Sequence, residues 1–355
     1  MGLGITISVS GNADVQLTEA IKVEVYERLG ETTQFSIFYP ADTIDGDIPF
    51  LTDNRLDPGS ILSIDAGPDG AFQCLVKGPV FSQHIHLEHG GEGSTVEVRG
   101  ADTSLTMDRV FQSVVWNDNT DSDAVYSIVG GYGLTPDVSQ TDTVHSEDKH
   151  SLVQRESDLR FVRRLARRNG FYFWLTCDAD TGEETAHFKR PDLGDSPSST
   201  LQLNVQPPDV LYFDLNWNAE NPTSIEGSQI DLDTKDLIDG DLDVTPQTLL
   251  GAEGLLEITG DTRSVHVAAP ADDAGDLQAR SQGALVEADW FIRASCRTSL
   301  HLLGTLVRAH TIIEVQGAGS RHSGNYLVSG VRHLIDAADH IMEIELVRNA
   351  WGATL

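Results

Sequence analysis

The chain is 355 residues long and 38.6 kDa, enough for two or three domains with real cores. Its 39% hydrophobic content is that of a globular protein, and no run of about eighteen apolar residues exists to cross a membrane as a helix. A formal charge of −31 argues against a general binder of nucleic acid or of anionic membranes, since both partners are polyanions.

The amino terminus, MGLGITISVSGNADVQL, has no basic region and too short an apolar stretch for a secretory leader, so synthesis in the cytoplasm is expected. The acidic excess is spread along the chain, a pattern of adaptation to high salt or of a GC-rich genome. Cys74, Cys177 and Cys296 lie far apart with no CxxC spacing. They are read as small buried residues, with neither a disulfide framework nor a zinc site expected.

Residues 1–105 alternate apolar and polar positions in short runs, at Ile5/Ile7/Val9, Ile21/Val23/Val25, Phe35/Ile37, Leu62/Ile64, Phe81/Ile85/Leu87 and Val96/Val98. Turns such as Asp57-Pro58-Gly59 separate them, and the whole predicts a small barrel or sandwich. Residues 106–205 read as an α+β insert. Asp121 is expected to cap a helix through Val129, ended by Gly130-Gly131. In Gln154 to Leu175, QRESDLRFVRRLARRNGFYFWL, Ser157 or Asp158 caps a second helix with Leu159, Val162, Leu165 and Ala166 on its apolar side. Asn169-Gly170 stops it, and Phe171 to Leu175 form a buried strand. A hairpin around Asp178 to Glu184, a return strand near Ala186 to Lys189 and a loop from Asp192 to Ser199 follow. Residues 206–355 return to strands at Leu211/Phe213/Leu215/Trp217, Leu256/Ile258, Val265/Val267 and Ile313/Val315. One helix interrupts them at about 276–291, with Leu277, Ser281, Ala284, Leu285, Ala288 and Phe291 on one face.

An internal repeat emerges when Ile61 to Asp102 is set beside Ile312 to Trp351. In both, a strand runs into a glycine turn (Gly67, Gly317), a second leads to a glycine before a valine (Gly78 and Val80, Gly330 and Val331), and a third ends near an arginine (Arg99, Arg348). The two β-domains therefore read as copies of one barrel.

Few residues invite chemistry. His84, His86 and His89 are the best metal candidates, since the first two project from one strand face, although the same positions suit an exposed barrel face. Asp231, Asp233, Asp236, Asp239, Asp241 and Asp243 lack the glycine and glutamate of a calcium loop and read as a solvated acidic loop. Gly130, Gly131 and Gly133 have no Lys-Ser/Thr after them, so no phosphate loop and no cofactor site is expected. The helix-to-strand unit from Gln154 to Leu175 carries one arginine face, with Arg155, Arg160, Arg163, Arg164, Arg167 and Arg168. A charge run is normally a solvated face balanced by nearby acids, and no aromatic residues interleave with it as nucleic-acid binding would require. A third reading makes Arg160, Arg163, Arg164, Arg167 and Arg168 an interface for a partner's carboxylates.

RESDLRFVRRLARRNGFYFWL resembles the signature of the phage late control D and VgrG family, the tail-hub proteins of contractile phage tails and injection machines. Ser323 to His333, SGNYLVSGVRH, and the final strand Ile341 to Arg348 followed by Asn349-Ala350 are similar to two further motifs of that family, in the same order. The resemblance implies a baseplate hub: a ring of three chains joining a hexameric inner tube to a trimeric spike, together with other baseplate proteins in a virion tail or injection particle. It implies no enzyme, no nucleic-acid specificity and no membrane insertion. The chain stops at Leu355 where VgrG proteins continue into a spike, so the spike is expected as a separate protein. His301-Leu302-Leu303-Gly304 departs from the family's Pro-Gly turn. The expected fold is mainly β with an α+β insert: two similar small β-barrels plus an α/β domain, in a hub-type architecture. The rival readings are a β-rich cell-wall hydrolase and a carbohydrate- or calcium-binding β-module.

Overall fold

The structure is a computed structural model describing residues 4–42, 47–68, 71–89, 91, 93–147, 151–230, 235–267 and 274–353. The first third supplies β1 (Ile5–Val9), β2 (Asn12–Ala13), β3 (Lys22–Arg28), β4 (Gln34–Pro40), β5 (Ile61–Ala66), β6 (Gln73–His86) and β7 (Thr95–Ala101). Next come β8 (Phe111–Trp116), α1 (Asp121–Gly131), β9 (Thr135–Val138), β10 (Leu152–Ser157), α2 (Asp158–Arg168), β11 (Tyr172–Cys177) and β12 (Glu184–Lys189). The remainder forms β13 (Thr200–Gln202), β14 (Tyr212–Trp217), β15 (Ser224–Ile230), β16 (Leu237–Asp239), α3 (Leu255–Thr259), β17 (Ser264–Val267), α4 (Ala274–Ala288), β18 (Ile292–Ser299), α5 (Leu300–Leu303), β19 (Ile312–Gln316), β20 (Gly324–Asp336) and β21 (His340–Arg348).

The architecture is mainly β, as the alternation requires. Among the described residues one 13-stranded sheet runs in the order β14-β18-β21-β20-β3-β4-β7-β6-β5-β1-β2, with β19 on β20 and β13 on β19. The repeat seen in the sequence is a repeat of topology. In the first part the order is β3-β4-β7-β6-β5; in the last it is β14-β18-β21-β20-β19. In each, a leading strand and its neighbour are followed by three consecutive antiparallel strands whose last member returns to that neighbour. The long strand of each copy carries a bulge at the same place, between Val80 and Ser82 in β6 and between Val328 and Gly330 in β20. Each is preceded by the same pair of backbone bonds: Gly59 N to Val80 O and Val80 N to Ser60 O in the first, His310 N to Val328 O and Val328 N to Thr311 O in the second.

The two copies do not stand apart. β3 pairs antiparallel with β20 over Lys22 to Arg28 and Gly330 to Asp336, so their sheets are continuous. One hydrophobic cluster accordingly spans both, from Ile7, Val23, Ile37 and Val98 to Ile292, Val331, Ile344 and Leu346. Period-2 patterning places these residues on one face. At Gly100 the lack of a side chain is required, because a Cβ there would lie 2.0 Å from the ring of Phe35 on the neighbouring strand.

Between the copies sits the insert, with its own core of Val125, Val129, Phe161, Leu165, Phe173 and Phe188. The α2 cap is Ser157, whose side chain accepts from Arg160 N. The α1 cap is Thr120 rather than Asp121: Thr120 and Asp123 form a reciprocal capping box, which a β-branched hydroxyl and a short acid three residues on provide. A second correction concerns Leu256 and Ile258, which lie in α3 and not in a strand. Glu257 accepts from Gly254 N at 3.0 Å and Gly260 closes the turn at φ +66°, so five residues between two glycines take a helical turn. The aromatic strand, its hairpin partner and the long helix are present as β11, β12 and α4, but α4 ends at Ala288 and Phe291 lies outside it, just before β18. α4 packs on β15 and β16 through Leu277 and Ser281. It approaches the end of α2 so closely that a Cβ on Gly283 would lie 2.8 Å from Gly170 N.

Candidate functional site

What the fold positions with most care is the junction of its three parts. Glu27, on the inward side of β3, is 4% exposed. Its carboxylate meets Arg308 Nε at 2.6 Å and accepts from Ala309 N at 3.0 Å, with His333 Nε2 at 3.7 Å. Burial alone raises a carboxyl pKa, but Arg308, His333 and the Ala309 amide outweigh it and hold Glu27 at about 2. Arg308 in turn donates to the carbonyls of Cys74 at 2.9 Å and Leu75 at 3.2 Å, reaching from the last third of the chain to β6. His310, two residues on, stacks on Trp174 of the insert at 4.2 Å and accepts from Gly30 N at 3.3 Å. Burial lowers its pKa to about 3, so it sits in the core as a neutral ring. A cleft of about 350 Å³ opens beside these residues, lined also by Thr33, His187 and Lys189.

The same spot carries a correction to the cysteine reading. Cys74 of β6 and Cys177 of β11 form a disulfide across a sequence separation of 103 residues, while Cys296 alone is free and buried. Sequence spacing gives no hint of it, because the contact exists only once the insert folds back on the first copy. Lys77 strengthens that contact by donating to Gly182 O at 2.6 Å and pairing with Glu184 at 3.5 Å.

On the polar side of the β3–β20 seam, charges lace the strands together. Arg332 pairs with Glu24 at 2.8 Å and Glu343 at 3.7 Å, Arg28 reaches Glu345 at 3.6 Å, and Tyr26 donates to Glu345 at 3.3 Å. Glu24, Tyr26, Arg332, Glu343 and Glu345, with Arg99, Phe81 and Tyr212, line a groove of about 540 Å³ across the sheet.

The arginines of α2 do not form one face. Arg168 is turned inward onto Asp121, which His145 also meets at 3.0 Å, and Asn169 donates to the same carboxylate at 2.7 Å. Arg163 donates to Thr32 at 2.8 Å, tying the helix to the β3–β4 turn, and burial lowers its pKa despite the nearby Asp102. Arg164 pairs with Glu156 at 2.6 Å and Arg160 with Asp108 at 3.1 Å. Arg167 lines a cavity of about 260 Å³ between α2, α4 and the β3–β4 turn, and Arg155 is exposed on β10. Buried acids such as Asp121 need a partner, and arginine provides it from one helix turn to the next. Arg160 is 71% exposed, so Arg160→Ala is expected to cost under about 1 kcal/mol in a urea titration.

The RESD stretch is thereby explained: Glu156 holds Arg164, Ser157 caps α2, and Asp158 accepts from Tyr132 at 2.8 Å and Gln154 at 2.6 Å. The terminal Arg348-Asn349 is structural too. Arg348 is fully buried and donates to Leu250 O at 2.7 Å, while Asn349 accepts from Leu250 N at 2.9 Å. His84 and His86 are exposed on β6, with Glu97 at 3.9 Å and Glu88 at 3.1 Å, and His89 lies beyond the strand end. Among the described residues no three His, Cys, Asp or Glu side chains stand together as a metal site. Asp231 and Asp233 lie outside the described residues, and Asp241 accepts from Gly227 N at 3.0 Å. Among the described residues no helix is long and apolar enough to cross a membrane.

A doubled strand order fused at one seam, with an α+β insert bolted across it, defines a tail-hub-like fold. A prophage MuSo2 43 kDa tail protein from Shewanella oneidensis is similar to this chain over 98% of both, at a TM-score of 0.69 and 14% identity. A tail protein from Neisseria meningitidis is similar over 99% of both, at 0.66 and 14%. A type VI secretion system component from E. coli, described as structurally similar to the T4 bacteriophage tail proteins gp27 and gp5, is similar at 0.59 and 13%, over 96% of this chain and 76% of that one. Comparison with curated protein sequences returned no match. The family model described as the Alg8 N-terminal domain matches residues 3–337, and the chain belongs to that family.

Proposed function

We propose that this chain is a structural part of a contractile phage tail or injection particle: a homotrimeric baseplate hub joining a hexameric inner tube to a trimeric spike, in contact with other baseplate proteins. The observation that carries this reading is the doubled strand order. Three chains with two equivalent units each present six similar units around one axis, which matches a sixfold ring on one side and a threefold object on the other. The likeness in fold to phage tail proteins and to a type VI secretion component supports the same role. The work is mechanical and electrostatic: permanent interfaces on the order of 2,000 Å² or more carry the load, and acidic residues facing a lumen repel acidic cargo or DNA in passage.

Light scattering of the purified chain at low and multimolar salt tests it. A species near 116 kDa, three times 38.6 kDa, is expected. A 38.6 kDa monomer at every concentration in both buffers overturns the trimer and favours the binding-module reading, which also requires calcium-dependent stability.

A further inference from the structure

The two halves of the Cys74–Cys177 bridge are unequally placed. Cys74 is 2% exposed, whereas Cys177 ends β11 half-buried, between the exposed Thr176 and Asp178. The acids beside Cys177 are engaged elsewhere. Asp178 is turned into its own hairpin, accepting from Thr181 N at 2.7 Å and Asp180 N at 3.0 Å, and Glu184, opposite Cys177 on β12, pairs with Lys77. Cys177 is therefore the sulfur that a solute reaches first.

Contacts other than the bond itself keep the two sulfurs facing each other. Arg308 holds the carbonyls of Cys74 and Leu75, and Lys77 holds Gly182 O of the hairpin that follows Cys177. At Cys74 the β5–β6 ladder shifts register, with Leu75 as the extra residue of a bulge, and this sets Asp65 directly opposite Cys74. Opposed residues have Cβ atoms about 5 Å apart, so the carboxylate and the sulfur are within reach of a proton transfer. Among the described residues no cation or donor answers the Asp65 carboxylate, and burial alone raises its pKa to about 6, which makes it a stronger base than an ordinary aspartate. A half-buried carboxylate without a partner costs stability, so the ladder itself gives no reason for it. Cys296 is fully buried with its thiol pushed up to about 12, and it stays out of this chemistry.

We propose that Cys74 and Cys177 form a redox latch that closes and opens on the folded chain by exchange with a small disulfide such as oxidised glutathione, entered at Cys177 and with Asp65 as the proton acceptor for Cys74. In closing, the Cys177 thiolate attacks one sulfur of oxidised glutathione, expels one glutathione as its thiolate and becomes a mixed disulfide. Cys74 then passes its proton to Asp65, attacks the Cys177 sulfur and expels the second glutathione, which takes up a proton. Two thiols of the chain are oxidised to one disulfide, and one oxidised glutathione is reduced to two glutathione molecules. Opening is the reverse, with Asp65 returning the proton to the departing Cys74 sulfur. The latch fixes the insert on β6 in an oxidising medium and releases that tie in a reducing one. This goes beyond the tail-hub reading and does not depend on it.

The test starts from the full chain reduced with dithiothreitol, desalted and given oxidised glutathione in native buffer, with intact mass followed over time. One glutathione adduct should appear and then disappear as the bridge closes. Cys74→Ser should accumulate that adduct on Cys177, and Cys177→Ser should stay unmodified. Asp65→Asn removes an unpaired charge and should keep the circular dichroism spectrum. Its adduct should form at the wild-type rate but persist at least about tenfold longer, a split between the two steps that a merely structural role would not produce. Closure that requires urea, or an adduct on Cys74 in folded Cys177→Ser, overturns the latch. An Asp65→Asn chain whose adduct resolves as fast as the wild type overturns the role of Asp65.

Discussion

Loss of the Cys74–Cys177 bridge, by reduction or by Cys74→Ser with Cys177→Ser, is expected to lower stability by about 4 kcal/mol. The bridge closes a loop of 103 residues, and a loop of that length gains much freedom when the cross-link is gone. The loss should be local in effect. The insert has its own core around Phe161 and Phe173, so the first event on warming the reduced chain should be separation of the insert from β6, with the main sheet still folded. Calorimetry with and without reductant reads this directly: one transition should split into two. A single transition at an unchanged midpoint would show that Lys77 and the Trp174–His310 stack hold the insert unaided.

Arg308→Ala should cost about 3 to 5 kcal/mol, because it leaves Glu27 charged, buried and without its cation. It also frees the Cys74 and Leu75 carbonyls. Removing both charges is milder, so Glu27→Gln with Arg308→Met should recover part of the loss in a urea titration. A double variant as unstable as the single would mean that Arg308 acts through its carbonyl bonds rather than through Glu27. The pH dependence follows from the same groups. Glu27 has a folded pKa of about 2 against an ordinary 4.5, so its contribution is complete above pH 4.5 and is lost as the pH falls to 2. His310 and His340 are depressed from 6.5 to about 3, mainly by burial. At these two sites the unfolded chain takes up protons that the folded chain refuses, so their contribution to stability falls below pH 6.5, while Asp65, Asp102 and Asp289, raised by burial to about 6, act in the opposite sense and favour the folded chain as the pH drops toward 4. Urea midpoints at pH 7.5, 5.5 and 4 separate the two, because His310→Gln should raise stability at pH 5.5 and 4 relative to pH 7.5.

The strands and the two long helices were legible because one face of each is buried and the period shows it: Val23/Val25, Leu62/Ile64 and Leu159/Val162/Leu165 are all in the core. The repeat was legible for the same reason, as a spacing of glycines and strands. What stayed hidden was long-range. Glu27 and Arg308 are 281 residues apart and Cys74 and Cys177 103 apart, and no local pattern marks a residue for a partner at that distance. The α2 arginines were visible as a run, but which of them turn inward depends on where Asp121 and Thr32 arrive. Leu256 and Ile258 misled because two apolar residues spaced by two fit a strand and a single helical turn equally well.

The internal seam also bears on how the chain folds as it is made. β3 spans residues 22–28 and its partner β20 spans 324–336, so nearly the whole chain is synthesised before β3 finds its neighbour, and until then it is an open edge. The second half of β6 is available much earlier and is the topological counterpart of β20. The position equivalent to Arg308, two residues before the Gly59 amide that bonds Val80, holds Asp57. A premature pairing of β3 with β6 would bring Glu27 against an acid instead of a cation, whereas β20 arrives with Arg308 already beside it. By charge alone, then, the Glu27–Arg308 pair favours the late partner of β3 over the early one.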